Sequence, residues 1–485
     1  MNHKPTNKIS LHWRRTKIIA TLGPATTTEP LLKKLIKAGV NVFRLNMSHG
    51  SHDQHRAAFN LIRETASNMD EHIAILMDLC GPKIRTGKFK TGSIMLKKNS
   101  NVLISCNTIL GEDGLIASQY TNLYKDVNKG ERILLDDGNL ELHVEKVCGK
   151  DINCKVIHGG ILKDNKGINL PDSKVSVSSF TAKDKKDVKL AMELDADFIA
   201  LSFVRNQNDL NVLQNYMTRN GSAIPIIAKI EKPEAISNID DILKASYGIM
   251  VARGDLGIEL PAEQVPLIQK ELICKARHHN RPVIVATQML ESMIENSRPT
   301  RAEVGDVANA ALLGTDAVML SGETAVGKYP VEAVKMMDRV LREIEEHQWQ
   351  HNEFDSNSPK LNMTDALSIR QAVSHAVTSL AQDLKLQGIV VPTRSGTTAK
   401  VLAANRPTAP LIGVSPNIHI CRILALHWGV IPIYAQEKQT HDWKKMSISL
   451  SKKCKLTRTG NTVLLVSGFN DDPDLNEPVM KILKV

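Results

Sequence analysis

Short apolar runs and helix-period segments alternate eight times along this chain. The runs fall at 16–22, 41–46, 73–78, 197–202, 225–230, 248–252, 282–287 and 317–320. They are β-branched, apolar at successive positions and too short for helices, which is the pattern of strands buried on both faces of a parallel sheet. The segments between them are amphipathic. From Thr28 to Ala38, Thr28 is placed to cap, Pro30 sits in the first turn, Leu31, Leu32, Leu35 and Ile36 share a face and Gly39 ends the helix. Eight strand–helix repeats are the count for a (β/α)8 TIM barrel, and a doubly wound sheet has the same periodicity.

The repeat is interrupted once. From 83 to 179 the chain shows short alternating strands, with turn signals at Asp136-Asp137-Gly138-Asn139 and Gly159-Gly160. This predicts a small β domain inserted at the barrel rim, in the position of a lid. The barrel domain is then 14–82 plus 180–350, after an amino-terminal tail 1–13. A polar, proline-containing stretch at 351–362 reads as a linker. Beyond it, runs at 388–393, 410–415, 430–434 and 462–467 alternate with helices and predict a carboxyl-terminal doubly wound α/β domain, 363–485.

Composition narrows the function. With 42% hydrophobic and 24% charged residues, 485 residues are ordinary for a multidomain globular protein. The net charge of +10 fits nucleic acid or anionic small substrates. The basic residues are scattered and not interleaved with aromatics, so nucleic acid is not expected as a partner. No apolar stretch reaches spanning length, no membrane association is expected, and the start carries no secretory pattern. Seven cysteines without paired spacing fit a reducing cytoplasm.

Residues just past the runs sit at the carboxyl rim of a barrel, where α/β enzymes build their sites. Glu231 follows the fifth run and Asp255 the sixth. Two carboxylates there suit Mg²⁺, which takes hard oxygen ligands and keeps water and substrate in its remaining positions. Lys229 faces what the metal binds. Arg44 can grip phosphate bidentately. The other rims carry Asn46, Ser48 and His49, then Asp78 and Gly81 to Arg85, then Thr287, and Ser321 with Glu323. Surface ion pairing would not collect this much charge at one end of one barrel. His12, His52, His55, His278 and His279 lie on polar segments without ligand spacing and are read as surface residues.

From about Arg15 to its end the chain resembles the pyruvate kinases. Thr16 to Ala25, Arg44 to Gly50, Met250 to Gly257, Ala286 to Met293, Arg298 to Glu303 and Ser321 to Ala325 look like that family's signatures, in order. The resemblance implies phosphoryl transfer from phosphoenolpyruvate to ADP, then protonation of the enolate to pyruvate, in a cytoplasmic homotetramer. Mg²⁺, with Mn²⁺ as an alternative, would be held by Glu231 and Asp255, and a second Mg²⁺ would arrive with the nucleotide. Lys229 and Arg44 would hold the transferring phosphate, and the amides of Gly254 and Asp255 the substrate carboxylate. Thr287, with a water relay touching Ser321 and Glu323, would serve protonation. Asn46, Ser48, His49, Arg85 and Lys183 would contact ADP or ATP.

Two departures shape further expectations. Many pyruvate kinases hold K⁺ among oxygens matching Asn46, Ser48, Asp78 and the Leu79 carbonyl, with a glutamate where this chain has Lys83. Lys83 is expected to supply that positive charge itself, making K⁺ unnecessary. In the third domain, Thr393-Arg394-Ser395-Gly396-Thr397-Thr398 matches the effector-phosphate loop, a strand feeding a hydroxyl-rich helix start. Asp471, Asp472 and Asp474 near the chain end would repel a second phosphate, so a monophosphorylated activator is expected rather than a bisphosphate. Two other classes share parts of this pattern: a phosphoenolpyruvate-type aldolase or lyase, which would lack a nucleotide lid, and a non-catalytic binding protein supported only by the net charge.

Overall fold

Eight parallel strands close on themselves: Lys17–Thr21, Val42–Asn46, Ala74–Asp78, Phe198–Leu201, Ile226–Ile230, Gly248–Ala252, Val283–Ala286 and Ala317–Leu320. The first pairs with both the second and the eighth, Thr21 lying opposite Arg44 and Ala20 opposite Leu320. That closure excludes the doubly wound alternative. The computed structural model describes residues 13–107, 109–351, 353–354, 367–436 and 442–485.

Side chains alternate across each strand. Ile18 and Ala20 face the surrounding helices, while Ile19 faces the barrel interior with Val42, Leu76, Phe198, Ala200, Ile227, Met250 and Met319. The same interior core includes Ile423 and Leu426 of the carboxyl-terminal domain, which therefore packs against the floor of the barrel. The outer helices dock on leucine and isoleucine faces. Glu29–Ala38 buries Leu32, Leu35 and Ile36 and ends at Gly39, whose φ of 115° allows its amide to reach the Ile36 and Leu35 carbonyls. Thr28 sits at the N-cap, but its hydroxyl makes no capping bond.

The inserted segment forms a six-stranded sheet and a two-stranded ribbon around its own core. Asp136 to Asn139 turn the hairpin between Arg132–Leu135 and Leu140–Cys148, with positive φ at Asp136, Asp137 and Gly138. Gly159-Gly160 is a crossing from the sheet strand Asp151–His158 into the ribbon strand Gly160–Lys163. It does not reverse the chain as the turn signal suggested.

In the carboxyl-terminal domain, Gly388–Pro392, Leu411–Ser415, Val430–Tyr434 and Thr462–Ser467 form a parallel sheet. An antiparallel edge strand, Val479–Lys484, completes it and was not expected from the sequence. A buried ion pair fixes this domain to the barrel floor: Arg406 donates to both oxygens of Asp316, at 3.1 and 2.9 Å, and to the Gly314 carbonyl. Of the predicted linker, His351 ends the helix Pro330–His351 and Phe354 is buried against Trp428. Residues 352 and 355–362 of it, like 1–12 of the tail with His12, lie outside the described residues.

Candidate active site

The alternation that fills the barrel with apolar side chains also delivers the polar ones. One inward step beyond Ile19, Val42, Leu76, Ala200 and Ile227 stand Thr21, Arg44, Asp78, Ser202 and Lys229, and one step past Lys229 stands Glu231. All six therefore converge at the carboxyl rim. Arg44 Nε donates to Asp78 Oδ2 at 2.6 Å and Nη1 to Thr21 Oγ1 at 3.2 Å. Lys229 Nζ lies 2.9 Å from Glu231 Oε1, 3.4 Å from Asp78 Oδ1, and donates to Ser202 Oγ at 2.7 Å. The Ser202 hydroxyl in turn donates to the Leu79 carbonyl at 2.7 Å. Glu231 Oε2 accepts the Phe203 amide at 2.8 Å.

These are not surface pairs. Side-chain exposure is 12% for Lys229, 2% for Glu231 and 1% for Asp78. Burial works against every charge here, and neighbours decide the outcome. Burial alone would strip the Lys229 proton, but Asp78 and Glu231 outweigh it and raise the pKa above its ordinary value. Burial would also raise Asp78, yet Lys229 and Arg44 hold it below the usual range. At Glu231 burial prevails over Lys229, helped by the nearby Asp255, and its pKa is raised. Burial and the neighbouring Asp255 oppose the charged form of Glu231 more than Lys229 supports it, so further positive charge at this point would favour the carboxylate. Asp255 is partly exposed beside it, at the start of the helix Arg253–Glu259. Two hard-oxygen carboxylates side by side, Glu231 buried and Asp255 partly exposed, with Lys229 paired to only one of them, fit Mg²⁺.

Thr287 follows the seventh strand with φ 71°, an outlier for a β-branched residue. Its hydroxyl donates to the Ala286 carbonyl at 2.6 Å and accepts the Gly254 amide at 2.8 Å. The Gly254 amide expected to meet a substrate carboxylate is thus held by Thr287. Glu323 accepts from the Leu290 amide at 3.0 Å and the Ser321 amide at 2.7 Å, and burial raises its pKa. The structure places Ser321 and Glu323 together but shows no hydrogen bond from either to Thr287.

Past the second strand, Asn46 Oδ1 accepts the Ser48 amide at 3.1 Å. Lys183 Nζ reaches across to the Met47 carbonyl at 2.6 Å and to Asp187 at 2.7 Å. Lys183 is thereby tied to the Asn46–His49 loop. His55 is buried, a correction to its surface reading: it donates from Nε2 to the His49 carbonyl at 2.7 Å and braces the same loop. His52 is exposed and bonded to Asp187. Arg85 lies just past the lid hinge, its backbone bridging Gly167. Lys83 is exposed and lines the cleft between rim and lid with Phe203, Lys232 and Asp255. At Gly81, φ is 64° and a Cβ would lie 2.8 Å from the Phe203 ring, so the hinge needs glycine.

Ser202, not among the expected site residues, is the polar residue that closes the run 197–202 and obeys the same inward parity as Lys229. In the third domain, Gly396 caps Thr397–Ala404 with φ 87°, and its amide is accepted by Thr393 Oγ1 at 2.9 Å. Ser395 bonds Thr397 at 2.9 Å, and the Phe469 amide bonds Thr398 at 3.3 Å. Thr397 also donates to the Asp471 carboxylate, and Arg370 donates to the Asp471 carbonyl at 3.1 Å. Arg394 belongs to the same loop.

Two family descriptions match this chain: "Pyruvate kinase, barrel domain" over 13–334 and "Pyruvate kinase, alpha/beta domain" over 371–482. It is 43% identical over 460 residues to pyruvate kinase 2 of Synechocystis, covering 94% of this chain and 76% of that one. To the pyruvate kinase of Geobacillus stearothermophilus it is 44% identical, over 94% of this chain and 78% of the relative. Among solved structures, a pyruvate kinase from Cryptosporidium parvum superposes with a TM-score of 0.88 at 36% identity, covering 97% and 96% of the two chains.

Proposed function

The chain belongs to the pyruvate kinase family, whose reaction moves a phosphoryl group between phosphoenolpyruvate and ADP, and we propose the following assignment of that chemistry to its residues. The observation that carries it is the buried Arg44–Asp78–Lys229–Glu231 cluster. Its two cations and two anions balance within the rim, so an incoming phosphate must be accompanied by further positive charge.

Lys229 and Arg44 hold the phosphate of phosphoenolpyruvate. Ser202 and Asp78 fix the ammonium, and Asp78 and Thr21 fix the guanidinium, so neither group reorganises as charge shifts toward the bridging oxygen. Glu231 and Asp255 would hold Mg²⁺, which would supply the positive charge that offsets the anionic substrate. The Gly254 and Asp255 amides, opening their helix, receive the substrate carboxylate after Thr287 releases the first of them. Thr287, Ser321 and Glu323 flank the enolate and order the water that protonates it. Asn46, Ser48, His49, Arg85 and Lys183 bind ADP.

Lys83 replaces the monovalent cation; a lysine stands where K⁺-dependent members carry glutamate, which supports this. The cradle Thr393 to Thr398 takes one effector phosphate, and the Asp471 carboxylate on Thr397 supports a limit of one. A cytoplasmic homotetramer is part of the same reading. Among the described residues no helix is long and apolar enough to cross a membrane. The direct test is ATP formation from phosphoenolpyruvate and ADP with and without Mg²⁺. ATP only with the metal is expected; pyruvate released without ATP would point to a lyase or phosphatase instead.

A further inference from the structure

Lys232, the residue after Glu231, places its ammonium 2.7 Å from Glu259 Oε1, with the two side chains 12% and 2% exposed. The same oxygen accepts from Asn169 Nδ2 at 3.1 Å. Asn169 belongs to the lid strand Ile168–Asn169. Glu259 is the last residue of the helix Arg253–Glu259, whose first turn presents Gly254 and Asp255. One carboxylate therefore joins three bodies: the rim of the fifth strand, the helix after the sixth, and the lid. A second tie between lid and barrel, Arg205 Nη1 to the Val175 carbonyl at 2.5 Å, runs to the loop after the fourth strand.

The arrangement at Glu259 is lopsided. Both donors sit on Oε1, while Oε2 is buried and has no hydrogen-bond partner. A buried carboxylate oxygen left bare is costly, and such costs are retained where an arrangement has to change or has to be completed during function. Lys232 alone would satisfy a purely structural salt bridge; Asn169 brings in a segment that belongs to a different domain.

We propose that Glu259 is a positioning residue coupling lid closure to assembly of the metal site. With the lid down, Asn169 orients the carboxylate, which fixes Lys232 and holds the Glu231-Lys232 segment at a set distance from the helix bearing Asp255. With the lid lifted, Asn169 leaves, Lys232 is its remaining partner among these, and the spacing of Glu231 from Asp255 relaxes. Outer residues of this kind orient ligands without touching the ion or the substrate. The proposal rests on the reading of Glu231 and Asp255 as metal ligands.

The test is a double-mutant cycle of Asn169→Ala and Lys232→Met in the full chain, read both as the Mg²⁺ dissociation constant from calorimetric titration and as the Mg²⁺ concentration giving half-maximal rate, with Glu231→Gln measured alongside. Asn169→Ala, on the lid and bonded to Glu259 rather than to either proposed ligand, should raise both values about fivefold in the wild-type background and leave them unchanged in Lys232→Met. A purely structural contact would lower the melting temperature without moving the Mg²⁺ dependence. Should Lys232→Met fail to fold, Glu259→Gln, which keeps the shape and removes the charge, takes its place in the cycle. No shift in Asn169→Ala, or shifts that multiply independently, would overturn the coupling. Unchanged Mg²⁺ dependence in Glu231→Gln would instead remove the metal reading, and the proposal with it.

Discussion

Lys229 Nζ lies 2.9 Å from Glu231 Oε1, two residues farther along the same chain segment, and both groups have their pKa raised. An ion pair in isolation would raise the lysine and lower the glutamate. Burial of Glu231 beside a second carboxylate, Asp255, is what breaks the symmetry.

With Mg²⁺ held as proposed, that asymmetry should give its binding a pH dependence. A carboxyl with a raised pKa takes up its proton earlier as pH falls, and a protonated Glu231 cannot ligate. The half-saturating Mg²⁺ concentration should therefore climb on acidification from a pH above the ordinary carboxylate value of about 4.3. Glu231→Gln should weaken Mg²⁺ by more than about tenfold and flatten this dependence. Titrating the Mg²⁺ requirement of both proteins between neutral and acidic pH checks it; identical profiles would contradict the assignment.

Lys83 carries the expectation about monovalent cations. In a buffer whose only cation besides Mg²⁺ is a bulky organic one, the wild type should run at nearly its full rate. Lys83→Glu should create a K⁺ requirement. Two like charges 4 Å apart cost about 4 kcal/mol at an effective dielectric near 20, so K⁺ and the lysine would not share the site. An enzyme silent until K⁺ is added would show that the lysine does not stand in for the ion.

For the effector cradle, Thr398 is buried at the start of Thr397–Ala404 and Asp471 lies on Thr397. A carboxylate introduced by Thr398→Glu should abolish activation by monophosphorylated sugars or nucleotides. Asp471→Ala removes a competing negative charge and should lower the activating concentration by about threefold to tenfold. Rate measurements across a panel of phosphorylated metabolites decide this, and strong activation by fructose 1,6-bisphosphate alone would refute it.

His427 ties stability to pH. Burial lowers its pKa to about 3 in the fold, where Nε2 bonds the Tyr247 hydroxyl at 2.6 Å. The unfolded chain takes up this proton near pH 6.5, so stability should be full above that value and fall on acidification toward pH 3, by up to about 1.4 kcal/mol per pH unit. Melting curves from pH 7.5 to 4.5 should show His427→Gln losing less than the wild type over that interval, though starting lower. Parallel curves would show that this histidine does not drive the acid sensitivity.

Much of the barrel was readable because burial on both faces leaves only one pattern for a parallel strand. The run at 225–230 became Ile226–Ile230, and the inward parity that places Ile227 in the core places Lys229 and Glu231 at the rim. What escaped depended on contacts between distant segments. Ser202 has meaning only once Lys229, 27 residues on, lies 2.7 Å away. Glu259 reads as an ordinary helix-end glutamate until Asn169 arrives from the lid, 90 residues earlier. His55 looks exposed by its polar neighbours, yet the helix His52–Asn68 turns it inward toward the His49 carbonyl. The edge strand Val479–Lys484 leaves Val479, Met480 and Ile482 exposed and buries Leu483 alone, so its apolar residues do not alternate with polar ones as those of a half-buried strand do.

In the proposed reaction the Lys229 ammonium stabilises the phosphoryl group in transfer. Lys229→Met measures it most directly, with ATP formation and metal-dependent pyruvate enolisation followed in the same preparation. ATP formation should fall by at least about a hundredfold, with Mg²⁺ binding nearly intact and much of the enolisation kept. Near-normal phosphoryl transfer in this variant would contradict it.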